Sequence, residues 1–74
     1  MKLSEFREAV RHEFGDDYGR LLTRDLVIPD LGERTADAAL SGGVAPRAVW
    51  LALCAAMDVP AERRHGVGLP APRP

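Results

Sequence analysis

The sequence predicts an all-α fold, a compact bundle of about four short helices followed by a flexible C-terminal tail. Three observations carry this. Apolar residues recur at helical spacing in several short segments, and glycine or proline punctuates the chain between them. No segment sustains the apolar–polar alternation of a half-buried strand, so no sheet is expected. The helical domain is assigned to residues 1–60 and the tail to residues 61–74.

The first helix is expected over residues 5–14. Ser4 is a good N-cap, Glu5 and Glu8 place negative charge near the positive end of the helix dipole, and Gly15 supplies the stop. Phe6, Val10 and Phe14 recur every four residues, with Leu3 on the same side. Asp16 or Asp17 caps a second helix whose apolar face is Tyr18, Leu21, Leu22 and Leu26, with Gly19 weakening it slightly. Pro29 excludes Ile28 from helical geometry, which ends this helix near Val27 and leaves Pro29-Asp30-Leu31-Gly32 as a turn. Thr35 caps the third helix, which offers Ala36, Ala39 and Leu40 before Gly42-Gly43 ends it. Pro46 suits the first position of the fourth helix, where its missing N–H costs nothing. Val49, Trp50, Leu53, Cys54 and Met57 cover one broad face of that helix, and Val59-Pro60 closes it. Beyond Pro60 come three prolines, two glycines and three arginines, with Val67 and Leu69 as the larger apolar groups. That composition cannot offset the entropy of ordering, hence the expectation of disorder.

A chain of 74 residues makes at most one domain. At that size a fold buries only about 60% of its unfolded surface, so the stability margin is thin. One cysteine, Cys54, and two histidines, His12 and His65, leave no intramolecular disulfide and no zinc cluster, and no cofactor is expected. The charged start lacks the apolar stretch of a signal peptide. The longest apolar run, Ala48 to Met57, is about half of what a membrane span needs. A cytoplasmic setting follows. Net charge is −1; residues 1–60 carry seven basic and ten acidic side chains, residues 61–74 three and one. An acidic core of this kind argues against nucleic acid as the main partner.

The order of Leu31-Gly32-x-Arg34-Thr35, Ala39-Leu40, Gly43-Val44, and Val49-Trp50 through Asp58-Val59-Pro60 resembles a family of short actinobacterial proteins classed as a domain of unknown function. Leu3-x-x-Phe6 and His12-x-Phe14-Gly15 are similar to its opening, and the likeness covers residues 1–64. The resemblance implies a compact helical protein whose gene often lies near those of a recombinase and its regulator. It supplies no catalytic residue. Family members often carry an acidic residue before the proline of the Val-Trp helix, where this chain has Ala45.

Several residues invite a chemical reading. Ala39, Gly43, Val44 and Val49 match the packing positions of a helix-turn-helix from Thr35 to Leu53. A DNA-reading helix must also present polar groups from its N-terminal turns. Among Ala45, Pro46, Arg47, Ala48 and Leu51, Arg47 alone could reach a base edge or a phosphate. Simple helix packing explains the pattern better. His12 beside Glu8 could serve as a general base, but it lies opposite Phe6 and Val10, where a solvated pair is expected. Cys54 sits on the apolar side of its helix, which suits an inert buried thiol better than a reactive one. Asp16-Asp17 read as caps rather than calcium ligands, and Arg63-Arg64-His65 as solvated charge. No phosphate loop, nucleophile elbow or catalytic carboxylate pair is present, so the chain is read as no enzyme.

The far side of the fourth helix holds Ala48, Leu51, Ala52 and Ala55, which makes that helix apolar nearly all round. Such a helix is either wrapped completely or lends one face to a partner. The favoured function is therefore a non-enzymatic protein–protein interaction or regulatory module. Its partner is an unidentified protein or a second copy of the chain. The alternative is a weak DNA-binding helix-turn-helix protein.

Overall fold

A computed structural model describes residues 1–64, in which four helices surround one apolar core. Helix α1 spans Leu3–Phe14, α2 Asp16–Asp25, α3 Ala36–Ser41 and α4 Pro46–Ala56. Each packs on the next in sequence, and α4 returns against α1 to close the bundle. The core is built from Phe6, Ala9 and Val10 of α1, Leu22 of α2, Ala36 and Ala39 of α3, and Val49, Trp50, Leu53 and Cys54 of α4. Ile28, Leu31 and Val59 complete it from the connections.

Several helix ends fall where the sequence places them, but α2 opens on Gly15 with no side-chain cap, so Asp16 and Asp17 lie in its first turn and neither caps it. The Thr35 hydroxyl accepts from the Ala38 N–H at 3.1 Å, so α3 has its expected cap. Pro46 opens α4 and Gly15, at φ 88°, closes α1. The start of α1 corrects the expectation: the cap is Lys2, not Ser4, and the Glu5 carboxylate accepts from the Lys2 N–H at 2.7 Å. Both α3 and α4 end in Schellman turns. After α3, Val44 N–H reaches Ala39 O at 3.0 Å across Gly43, at φ 94°. After α4, Val59 N–H reaches Cys54 O at 2.9 Å across Asp58, which holds φ 56° without being glycine. Each turn folds an apolar residue back toward the core; Val59 is buried and Val44 half-buried.

The absence of a sheet was the wrong expectation. Val27–Ile28 and Arg34–Thr35 pair antiparallel, Val27 with Thr35 and Ile28 with Arg34, around a 3-10 turn at Pro29–Leu31. We call these strands β1 and β2. Pro29 ends α2 early, at Asp25, and the freed backbone finds its partners in this hairpin instead. The buried face of α2 also differs from expectation. Tyr18 and Leu21 stand exposed, while Gly19, Leu22 and Thr23 face the core and Leu26 is half-buried. Leu3, placed on the inner stripe of α1 by its spacing, is exposed as well.

The segment after Pro60 begins with a second 3-10 turn, Ala61–Arg63. Trp50 Nε1 donates to the Arg64 carbonyl at 2.6 Å, Arg64 Nε donates to Val59 O at 2.6 Å, and Arg63 pairs with Glu13 of α1 at 3.0 Å. Residues 61–64 thus strap the C-terminal side of α4 to α1. The remainder of the expected tail, residues 65–74, lies outside the described residues.

Candidate functional site

The inner face of α4 is consumed by the core, since Val49, Trp50, Leu53 and Cys54 are buried. At 100° per residue the opposite face is made of Arg47, Ala48, Leu51, Ala52 and Ala55. The rest of the bundle leaves that face open: Ala48, Leu51 and Ala55 are exposed and Ala52 is half-buried, with Leu51 at 39%. Complete wrapping of α4 within the monomer is therefore not what the fold achieves.

This face forms one wall of a shallow groove. The other wall is the β1–β2 turn and the α3–α4 connection, through Leu31, Gly32 and Val44, with Asp30 and Arg34 at the rim. Arg34 Nε donates to the Leu31 carbonyl at 2.8 Å, which fixes its guanidinium against the turn. Arg47 stands exposed in the first turn of α4, and Asp58 stands exposed just past its last. Among the described residues neither has an ion-pair partner. The α4 wall of the groove is thus apolar along its length, and opposite charges stand at the two ends of that helix.

The helix-turn-helix positions also come together. Ala39 and Val49 are buried against each other's elements, and Gly43 makes the turn between α3 and α4. On the leading surface of α4, however, Arg47 is flanked by Ala45, Ala48 and Leu51, all exposed. That surface is apolar where a base-reading helix displays donors and acceptors.

The remaining candidates separate from the groove. His12 Nε2 lies 2.9 Å from Glu8 on the exposed side of α1, and Arg11 bonds the same carboxylate. The Arg11 guanidinium holds Glu8 below the ordinary carboxylate range, which describes a solvated ion-pair cluster. Asp17 pairs loosely with Arg20 at 3.4 Å, Asp16 lies 4.0 Å from Arg11, and no group able to hold a metal forms among the described residues. Of the basic run, Arg63 and Arg64 are engaged in the strap, and His65 lies outside the described residues.

Cys54 is fully buried, and desolvation pushes its thiol up to about 12, against the opposing pull of Arg64. Since the thiolate is the nucleophile, the native protein should resist alkylation at pH 8 and react promptly once unfolded. Mass spectrometry after iodoacetamide treatment, with and without denaturant, reads this directly. Stoichiometric labelling of the folded chain would show that the α4–strap contact opens readily.

One surface escaped the sequence reading. Tyr18 and Leu21 stand exposed on α2 between Asp17, Arg20 and Arg24. Their spacing alone cannot tell an outward face from an inward one when Leu22 and Leu26 neighbour them.

A protein-family model described as "Protein of unknown function (DUF3046)" matches residues 1–62. No curated protein matches the chain, and no solved structure does. No helix among the described residues is long and apolar enough to cross a membrane.

Proposed function

The chain belongs to the DUF3046 family of proteins of unknown function, and we propose that it acts as a non-enzymatic cytoplasmic interaction module, binding a partner protein in the groove along α4. One observation carries this reading: the apolar strip Ala48, Leu51, Ala52 and Ala55 lies uncovered beside Leu31 and Val44. An uncovered apolar strip of this kind beside a groove is a candidate contact surface. The alanines let another element approach closely, and Leu51 supplies a knob. Glu8, Arg11 and His12 of α1 and Asp17 and Arg20 of α2 lie in exposed ion pairs outside the groove lining, which supports binding rather than catalysis in the groove.

A photoreactive amino acid placed at Ala48, with the exposed Ala38 of α3 as control, tests the proposal in cells. Protein adducts are expected from position 48 and not from position 38. Adducts with duplex DNA from position 48, lost when Arg47→Ala is added, would install the helix-turn-helix reading instead. Absence of any adduct specific to position 48 would remove the reason for calling the groove a binding surface.

A further inference from the structure

Resting on that reading of the groove, we propose that its occupant is a second copy of this chain, packed antiparallel along α4 about a two-fold axis near Leu51 and Ala52. The apolar strip by itself would suit any helix. The charges at its ends select the partner and its direction. Arg47 precedes the strip and Asp58 follows it, both exposed and without an ion-pair partner among the described residues. At 1.5 Å per residue they are separated by about 16 Å along α4.

An isologous pair brings each position against its mirror in the sequence. With the axis between Leu51 and Ala52, Leu51 faces Ala52 of the second copy and Ala48 faces Ala55. The one large residue of the strip therefore meets an alanine, and the outer alanines meet each other at close approach. The same register sets Arg47 opposite Ala56 of the second helix, two residues or about 3 Å short of Asp58, a gap the long arginine side chain spans, and the symmetry makes that contact twice. Parallel packing would instead set Arg47 beside Arg47 and Asp58 beside Asp58, and would align the two helix dipoles unfavourably. The flanking turn repeats the logic, because Asp30 and Arg34 put both signs on the groove's other rim. One surface thus complements itself.

Sedimentation of the full chain across a dilution series, with circular dichroism alongside, tests this. A concentration-dependent dimer is expected. Arg47→Glu should raise its dissociation constant about tenfold or more, since two exposed pairs each turn from attraction to repulsion. Combining Arg47→Glu with Asp58→Arg should restore most of the loss. If Asp58→Arg disturbs the left-handed turn, Asp58→Asn tolerates that backbone and should weaken the dimer as Arg47→Gln does. A native chain that is monomeric throughout, or a dimer indifferent to these folded variants, overturns the proposal. A monomeric chain that still gives adducts with a different protein from position 48 overturns the dimer alone and leaves the interaction reading standing.

Discussion

Trp50→Ala should abolish most of the cooperative thermal melt, leaving a chain that is partly or wholly unfolded at room temperature. Trp50 is 1% exposed and belongs to the same core cluster as Phe6 and Leu53, with Phe14 and Leu40 packed at its margin. Truncating a buried aromatic to alanine costs about 3–5 kcal/mol, through lost transfer energy and the cavity left behind. Native domains hold only about 5–15 kcal/mol in total, and one of this size falls toward the lower end. The substitution also releases the Arg64 carbonyl, one of the contacts that hold residues 61–64. Trp50→Phe separates the two contributions, because it keeps most of the packing and loses the hydrogen bond. Far-ultraviolet circular dichroism against temperature is the measurement. A sigmoidal melt of native amplitude in Trp50→Ala would show that the core is organised around some other residue.

The second large effect is expected from Gly19→Ala, and its sign runs against helix propensity. In an exposed helix this exchange stabilises by up to about 1 kcal/mol. Here a β-carbon on residue 19 would lie 2.8 Å from Val10 Cγ1 and 3.4 Å from the Val10 carbonyl oxygen. Val10 is itself buried, so its methyl has little room to yield. Overpacking of this kind costs about 1–3 kcal/mol, which exceeds the propensity gain. Urea denaturation should therefore show a lower midpoint for Gly19→Ala. Adding Val10→Ala should recover part of the loss, as expected of two groups that compete for one space. A rise in stability for the single variant would mean that α1 and α2 do not cross as closely as the structure places them.

Gly19 also explains why the inner face of α2 was misread. The sequence signal for a buried helical face is a stripe of large apolar side chains, and Tyr18, Leu21, Leu22 and Leu26 supply one. The helix instead buries the side on which its smallest residue lets α1 approach, and turns Tyr18 and Leu21 outward. A contact made through the absence of a side chain leaves no apolar mark in the sequence. The hairpin was illegible for a related reason. Strands of two residues are too short to show a period, and they form because Pro29 ends the helix and the stranded backbone must pair. What could be read were the punctuation and the broad inner face of α4. Thr35, Gly15, Gly43 and Pro46 each act through their own backbone or hydroxyl, and Val49, Trp50, Leu53 and Cys54 are all buried as their spacing requires. The candidate groove was half legible. Its α4 wall follows from helical geometry, whereas Leu31, Arg34 and Val44 reach it through tertiary folding alone.

The bond between the Trp50 indole and the Arg64 carbonyl makes the protein its own spectroscopic reporter. The chain has one tryptophan, so its fluorescence comes from a single environment, without the overlap that blurs most proteins. That indole lies at the joint between α4 and residues 61–64, shielded from water by both. Emission from a shielded, hydrogen-bonded indole moves to longer wavelength when solvent reaches it. The colour of the emission therefore reports whether the strap is seated, while the helical signal reports the bundle as a whole. Two such curves that coincide on heating would describe a strap that leaves only when the helices do. A colour change that runs ahead would describe a joint that opens while the bundle still stands.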